Sequence, residues 1–311
     1  MSQVTGWSVE IPLAGAGGER VDLWRTIVSH GIAALPPARV DEEARILELT
    51  LPVKGARPHT VTIAEGGADR AVVSAAGAAP SARKAGKIVA GVQHVLRLDE
   101  DLSDFYALVA GDPDLAWAAE EGAGRMIRSP TVFEDVVKTI CTTNCTWSAT
   151  ERMVGALVEH LGEPAAGGAA AGSYGRAFPT PAAMAAASEG FYRDVVRAGY
   201  RGAYLRSLAA SVSDETVDLE ELGRASRDEL PDDDVRARLL ALPGVGPYAA
   251  AHVMMLVGRY SPLILDSWTR PKYARLNGGR SVKDSTIERR FRRYGPYAGL
   301  AFWLYLTRDW A

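Results

Sequence analysis

The sequence predicts an α+β protein, with an N-terminal antiparallel β-rich domain over residues 1–100 and an all-helical domain over 101–311. Three observations carry this. Short runs rich in β-branched residues, bounded by Gly, Pro or charge, occupy the first part of the chain. Apolar residues at three- and four-residue spacing take over from about Val95 and persist to the end. One turn, LPGVGP (242–247), joins two helical patterns within 232–257 through a pair of glycines.

Taken in order, ILELTLPV (46–53), HTVTIAEG (59–66) and AVVSAAG (71–77) read as strands. The helical segments begin with SDFYALVAG (103–111) and SPTVFEDVVKTICTTN (129–144), the latter opening on Ser129-Pro130-Thr131, a helix start. SATERMVGALVEHLG (148–162), TPAAMAAASEGFYRDVVRAG (180–199) and RGAYLRSLAASV (201–212) continue the pattern. Between them, EPAAGGAAAGSYGRAFP (163–179) is a small-residue loop.

Composition narrows the function classes. With 47% apolar and 23% charged residues, the 311-residue chain is globular in type and long enough for about two domains. No apolar run reaches the ~18 residues of a membrane span, and MSQVTGWSVEIPL is no signal peptide, so a cytoplasmic protein without a membrane partner is expected. Cys141 and Cys145 imply no disulfide framework, and two cysteines do not supply the four ligands of an iron–sulfur cluster. His30, His59, His94, His160 and His252 lack zinc-ligand spacing. The net charge of −3 argues against a coat for nucleic acid, but Arg270–Arg293 holds nine Lys or Arg against Asp284 and Glu288. Asp214–Asp234 holds ten acidic residues against Arg224 and Arg227. A local anionic partner fits the basic segment, but taken alone, two solvated faces of opposite sign fit it better.

The glycine turn has its own chemistry. Asp232–Asp234 open one helix, Pro243 stops it, Gly244 and Gly246 free the backbone, and Pro247 suits the first turn of the next. A turn without side chains lets backbone N–H groups approach an anion, and the following helix adds the positive end of its dipole. Such a device holds a phosphate without reading sequence.

With these residues the chain resembles the helix-hairpin-helix DNA glycosylases, between their alkylation-repair (3-methyladenine) and 8-oxoguanine branches. GRMIRSPTVFEDVVKTICTTN (124–144) resembles the family's first core helix, FPTPAAMA (178–185) and AGYRGAYLRSLA (198–209) its middle, and YGPYAGLAFWL (294–304) its closing helix. The N-terminal part is matched only by VLRLDEDLSDFYAL (95–108) and a general β pattern.

The resemblance implies base excision from damaged double-stranded DNA by a monomer at the nucleoid of a bacterial cell. Asp266, in SPLILDSWTR and 18 residues beyond Tyr248, matches the family's catalytic aspartate. A carboxylate there would face the positive charge that develops on the sugar as an N-glycosidic bond breaks. Bifunctional members carry a lysine where this chain has Tyr248, so no Schiff base and no lyase step are expected. Asn144 matches the residue that fills the gap left by an extruded base, and Tyr200 and Arg201 match those that contact the orphaned partner. The amides of Gly244, Gly246 and Tyr248 are expected on a phosphate. Carbonyls of Leu240, Leu242 and Val245 are expected on a monovalent K+ or Na+, with no other cofactor required. Where the 8-oxoguanine branch shapes its pocket with a cysteine and a glutamine, this chain has His252 and Phe302. With Tyr248 and Trp268 these make an aromatic pocket suited to a cationic alkylated purine. Two alternatives stand beside this: an 8-oxoguanine-type enzyme without the lysine, and a non-catalytic module that binds damaged DNA.

Overall fold

The computed structural model describes residues 6–166 and 171–310, so positions 167–170 of the small-residue loop lie outside the described residues. Strands β1 (Gly6–Pro12), β2 (Arg39–Asp41), β3 (Ile46–Val53), β4 (Ala56–Glu65) and β5 (Arg70–Ala76) form one antiparallel sheet. Their order is β1-β5-β4-β3-β2, with register fixed by pairs such as Val9↔Val73, Ile63↔Val73 and Leu49↔Val61. Burial alternates along β5, with Ala71, Val73 and Ala75 inward, as a half-buried sheet requires.

Helix α1 (Leu23–Ile27) and a 3₁₀ turn (Gly31–Ala34) lie between β1 and β2, and α2 (Ala82–Val95) packs on β3. The helical pattern therefore begins at Ala82, earlier than the expected Val95. The opening stretch ARKAGK (82–87) carries no large apolar residue, so the helical spacing of Ile88, Val92 and Val95 starts only in the second half of α2.

The remaining helices are α3 (Ser103–Val109), α4 (Ala116–Glu120), α5 (Val132–Thr142), α6 (Trp147–Leu161), α7 (Pro181–Ala186), α8 (Arg201–Ser213) and α9 (Glu220–Arg224). After them come α10 (Asp232–Leu240), α11 (Pro247–Leu256), α12 (Thr269–Leu276), α13 (Asp284–Phe291) and α14 (Ala298–Thr307). The predicted fold class, an antiparallel β-sheet part followed by a helical part with a helix pair joined by a tight turn, is the one observed.

The core explains where α11 sits. One apolar cluster runs continuously from the sheet through α5 to α11, and a second joins α3 and α4 to the C-terminal helices. Val253, Met254 and Leu256 belong to the first and Met255 to the second, so α11 is buried on nearly every side. Its sequence, PYAAAHVMML, has no charged residue to place in water. The buried Arg97 guanidinium closes its C-terminal end by donating to the Leu256 carbonyl and, from Nε at 2.9 Å, to the Met126 carbonyl. Elsewhere Glu220 accepts from the Val132 and Phe133 amides, both at 3.2 Å, and so caps α5 from a distant part of the chain.

Candidate active site

The turn between α10 and α11 is bare. Gly244 has φ +80°, a conformation side chains resist, and an added Cβ would press on the Tyr204 ring at 2.9 Å. Gly246 is the N-cap of α11 with no side chain to serve that role, and space beyond its Cα is open. Val245 donates to the Leu242 carbonyl at 3.2 Å, which closes the turn. Among the described residues, the amides of Gly244, Gly246 and Tyr248 have no acceptor. They are available to an anion from outside.

Next to the start of α11 lies a cavity of about 420 Å³, lined by Tyr248, His252, Asp266 and Trp268 among others. The chain thus brings four of the residues predicted for chemistry and base contact to one place. Asp266 stands just before α12 and caps it. Its Oδ1 accepts from the Trp268 and Thr269 amides at 2.8 and 2.7 Å, and its own amide donates to Thr269 Oγ1 at 2.8 Å. Oδ2 remains toward His252, whose Nε2 lies 3.8 Å away. Burial opposes the charge, but the His252 contact and the two amides outweigh it and hold the carboxyl down at about 2. Asp266 is therefore ionised throughout the physiological range.

The wall opposite is aromatic. His252 meets the Tyr248 ring edge-on with centroids 4.5 Å apart, and Trp268 lies against Trp303 and Trp310 at 5.7 and 5.4 Å. Trp147 closes the side near Gly31, where a Cβ would come within 3.3 Å of its ring. The Tyr248 hydroxyl is 3.4 Å from Thr142 Oγ1 at the cavity edge.

Phe302 requires correction. It is fully buried against Tyr273 and Phe291, away from the cavity, and its neighbour Trp303 lines the wall instead. One step along a helix turns a side chain by about 100°, so the shift of a single position moves the assignment from wall to core. Arg201 also departs from expectation. It is buried, donates to the Thr143 carbonyl and from Nε to Thr143 Oγ1 at 3.3 Å, and lies 4.6 Å from the Tyr200 ring. Its guanidinium holds the 143–145 turn rather than reaching outward. Asn144 is exposed on that turn with φ +48°, and its Nδ2 donates to the exposed Tyr200 hydroxyl at 3.3 Å. The basic segment is partly neutralised as well: Arg270, Lys272, Arg290 and Arg293 pair with Asp284, Asp309, Asp114 and Asp112.

The sequence reading missed His30, Lys138, Trp147, Trp303 and Trp310, all on the cavity wall. Lys138 is buried and paired with Glu134 at 2.6 Å. A lysine on the apolar face of α5 was a visible signal; His30, 222 positions from the histidine it meets, gave none.

The fold is shared with solved structures. It superposes on the 3-methyladenine DNA glycosylase from Archaeoglobus fulgidus with a TM-score of 0.70, covering 98% of each chain at 18% identity. It superposes on the 8-oxoguanine glycosylase/lyase of Clostridium acetobutylicum with a TM-score of 0.71, covering 96% of this chain and 95% of that one at 19% identity. The chain has the helix-hairpin-helix DNA glycosylase fold. In sequence, this glycosylase-fold chain is 25% identical over 228 residues to a Methanothermobacter thermautotrophicus protein named "Probable N-glycosylase/DNA lyase", spanning 67% of this chain and 70% of that one. No family model matches it. The solved structures that share the fold include a 3-methyladenine and an 8-oxoguanine glycosylase, one from each branch of the resemblance. Among the described residues no helix is long and apolar enough to cross a membrane.

Proposed function

We propose that this protein is a monofunctional DNA glycosylase that hydrolyses the N-glycosidic bond of a damaged base extruded from duplex DNA. The observation that carries the reading is the pairing of Asp266, an ionised carboxylate with one oxygen tied to α12, with the aromatic cavity beside it. A base entering between Tyr248, Trp268 and Trp303 would set its sugar near Asp266 Oδ2. As the C1′–N bond breaks, its electron pair leaves with the base, and the fixed negative charge stabilises the cationic sugar until water adds at C1′, its surplus proton passing by way of Asp266 Oδ2 to solvent. Tyr248 stands where a lyase would need an amine, so an abasic site is the product. The amides of Gly244, Gly246 and Tyr248 would take a phosphate at the dipole end of α11, and Asn144 and Tyr200 would meet the gap and the partner base.

The aromatic wall supports a cationic alkylated purine as substrate. Lys138, with Thr139 and Thr142 on the same wall, supports a second reading, an oxidised or deaminated base whose carbonyl would accept from these donors. For the monovalent cation, the Leu240, Leu242 and Val245 carbonyls are of the right chemical type, although that of Leu242 already accepts the Val245 amide. A bound ion would stiffen the turn that presents the amides.

The test is base release from duplexes carrying 3-methyladenine, 7-methylguanine, hypoxanthine or 8-oxoguanine, analysed with and without alkali. Free base with strand breaks only after alkali is the expected result, and the lesion released decides between the two substrates. Strand cleavage without alkali would contradict the monofunctional reading, and tight binding without release would favour a non-catalytic damage-binding module.

A further inference from the structure

Two histidines from opposite ends of the chain meet behind Asp266. His30 sits between α1 and the 3₁₀ turn of the N-terminal part, and His252 is on α11. His30 Nδ1 accepts from the Ile32 amide at 3.3 Å, so it carries no proton. Burial, and after it the nearness of His252, pushes the His30 imidazole down to about 3, which keeps it neutral with its proton on Nε2. That Nε2 lies 3.1 Å from His252 Nδ1, which must then be the acceptor. The His252 proton is left on Nε2. This atom is buried, has no hydrogen-bond partner among the described residues, and faces Asp266 Oδ2 at 3.8 Å.

The rings have little freedom to depart from this arrangement. His30 stacks on Trp303 with centroids 5.5 Å apart and planes 29° from parallel, while His252 stands nearly perpendicular to Trp303. The Trp303 indole donates to the Ser29 carbonyl at 2.8 Å, and Ser29 Oγ accepts the Ile127 amide at 2.9 Å, so the loop bearing His30 is anchored on both sides. Each donor and acceptor from the Ile32 amide to His252 Nδ1 is assigned in one direction only, which leaves the His252 Nε2 proton toward the carboxylate.

We propose that His30 is a positioning residue: it fixes His252 in its Nε2–H tautomer, so that the positive end of that N–H, 3.8 Å away, faces and attracts the free oxygen of Asp266 on the side of the sugar. Without His30 the opposite tautomer becomes available to His252, and its Nε2 lone pair would repel the carboxylate that the N–H attracts. The tautomer assignment stands by itself; its consequence for base release rests on the glycosylase reading above.

The experiment has two arms. Long-range ¹H–¹⁵N spectra of the histidine rings in the wild-type protein should show His252 bare at Nδ1 and protonated at Nε2. In His30→Phe, which keeps a ring against Trp303, His252 should become a tautomer mixture. Single-turnover base release by that variant should fall about ten- to a hundredfold, as for other supports that fix a tautomer, with affinity for duplex DNA within about twofold of wild type. His30→Gln, whose amide still donates, should recover most of the rate. A wild-type His252 protonated at Nδ1, or wild-type rates in His30→Phe, would overturn the proposal. The expected ring pattern in a protein that releases no base would support the relay while removing the glycosylase reading. The wild-type spectrum decides the tautomer even where a variant fails to fold.

Discussion

Helices α11 and α12 begin within 22 residues of each other, and their N-terminal ends are filled in opposite ways. At α12 the anion is internal: Asp266 Oδ1 occupies the Trp268 and Thr269 amides. At α11 the N-cap is Gly246 and the first amides face solvent. The same dipole that at one end holds a carboxylate ionised is, at the other, left free for a charge the protein does not carry. One end makes a reagent and the other makes a grip. Asp266 owes its low proton affinity to the His252 contact and, after it, to the two amides it caps, so part of its chemical role comes from its structural one.

The most severe way to break the comparison is Asp266→Asn. The asparagine oxygen still caps α12, so melting temperature should change little, while base release should fall by about 10²–10³-fold for loss of one fixed charge. Stopped-time base-release assays beside thermal melts check both. Gly246→Asp sharpens the contrast by making α11 resemble α12. Its side chain enters open space and caps the helix, adding a few tenths of a kcal/mol of stability. The same charge should repel the phosphate, weakening duplex binding about tenfold and flattening its salt dependence by about one ion. Denaturant titration and binding at several salt concentrations would show the two effects moving in opposite directions.

Two smaller effects separate the cavity wall from the core behind it. Phe302→Leu should cost about 1–2 kcal/mol of stability with lesion preference unchanged, whereas Trp303→Leu should lose stability and also raise KM for the lesion. Asp135 tests burial without function. Burial raises its carboxyl to about 7 in the folded protein, against 3.8 unfolded. The folded state therefore holds the proton longer, and stability contributed by the protonated form is lost as pH rises from about 4 to 7. Asp135→Asn should melt a few degrees higher than wild type at pH 8 and nearly level with it at pH 4, as scanning calorimetry would read.

Much of this was legible in the sequence because it is local. Strand β3 has the predicted bounds, Ile46–Val53, since β-branched alternation is read residue by residue. The turn at Gly244 and Gly246 declared itself through its glycines and flanking prolines, and Asp266 through its distance from that turn. What was hidden depends on side-chain direction or distant pairing. Helix α2 opens on ARKAGK, with no large apolar residue, so its pattern could be read only from Ile88 onward. Phe302 and Trp303 are adjacent aromatics, and only the helix phase says which faces the cavity. Arg201 was expected on the orphaned partner base, but its donors are taken up by Thr143, 58 positions earlier. His30 belongs to the site only because the N-terminal loop packs on Trp303.

The measurement closest to the central claim is a crystal structure of the protein on duplex DNA carrying a non-hydrolysable abasic-site analogue. The account predicts a backbone phosphate within about 3 Å of the Gly246 amide at α11, and the analogue's sugar facing Asp266 Oδ2. A duplex bound with the turn at 244–248 empty, or with its sugar directed away from Asp266, would contradict it.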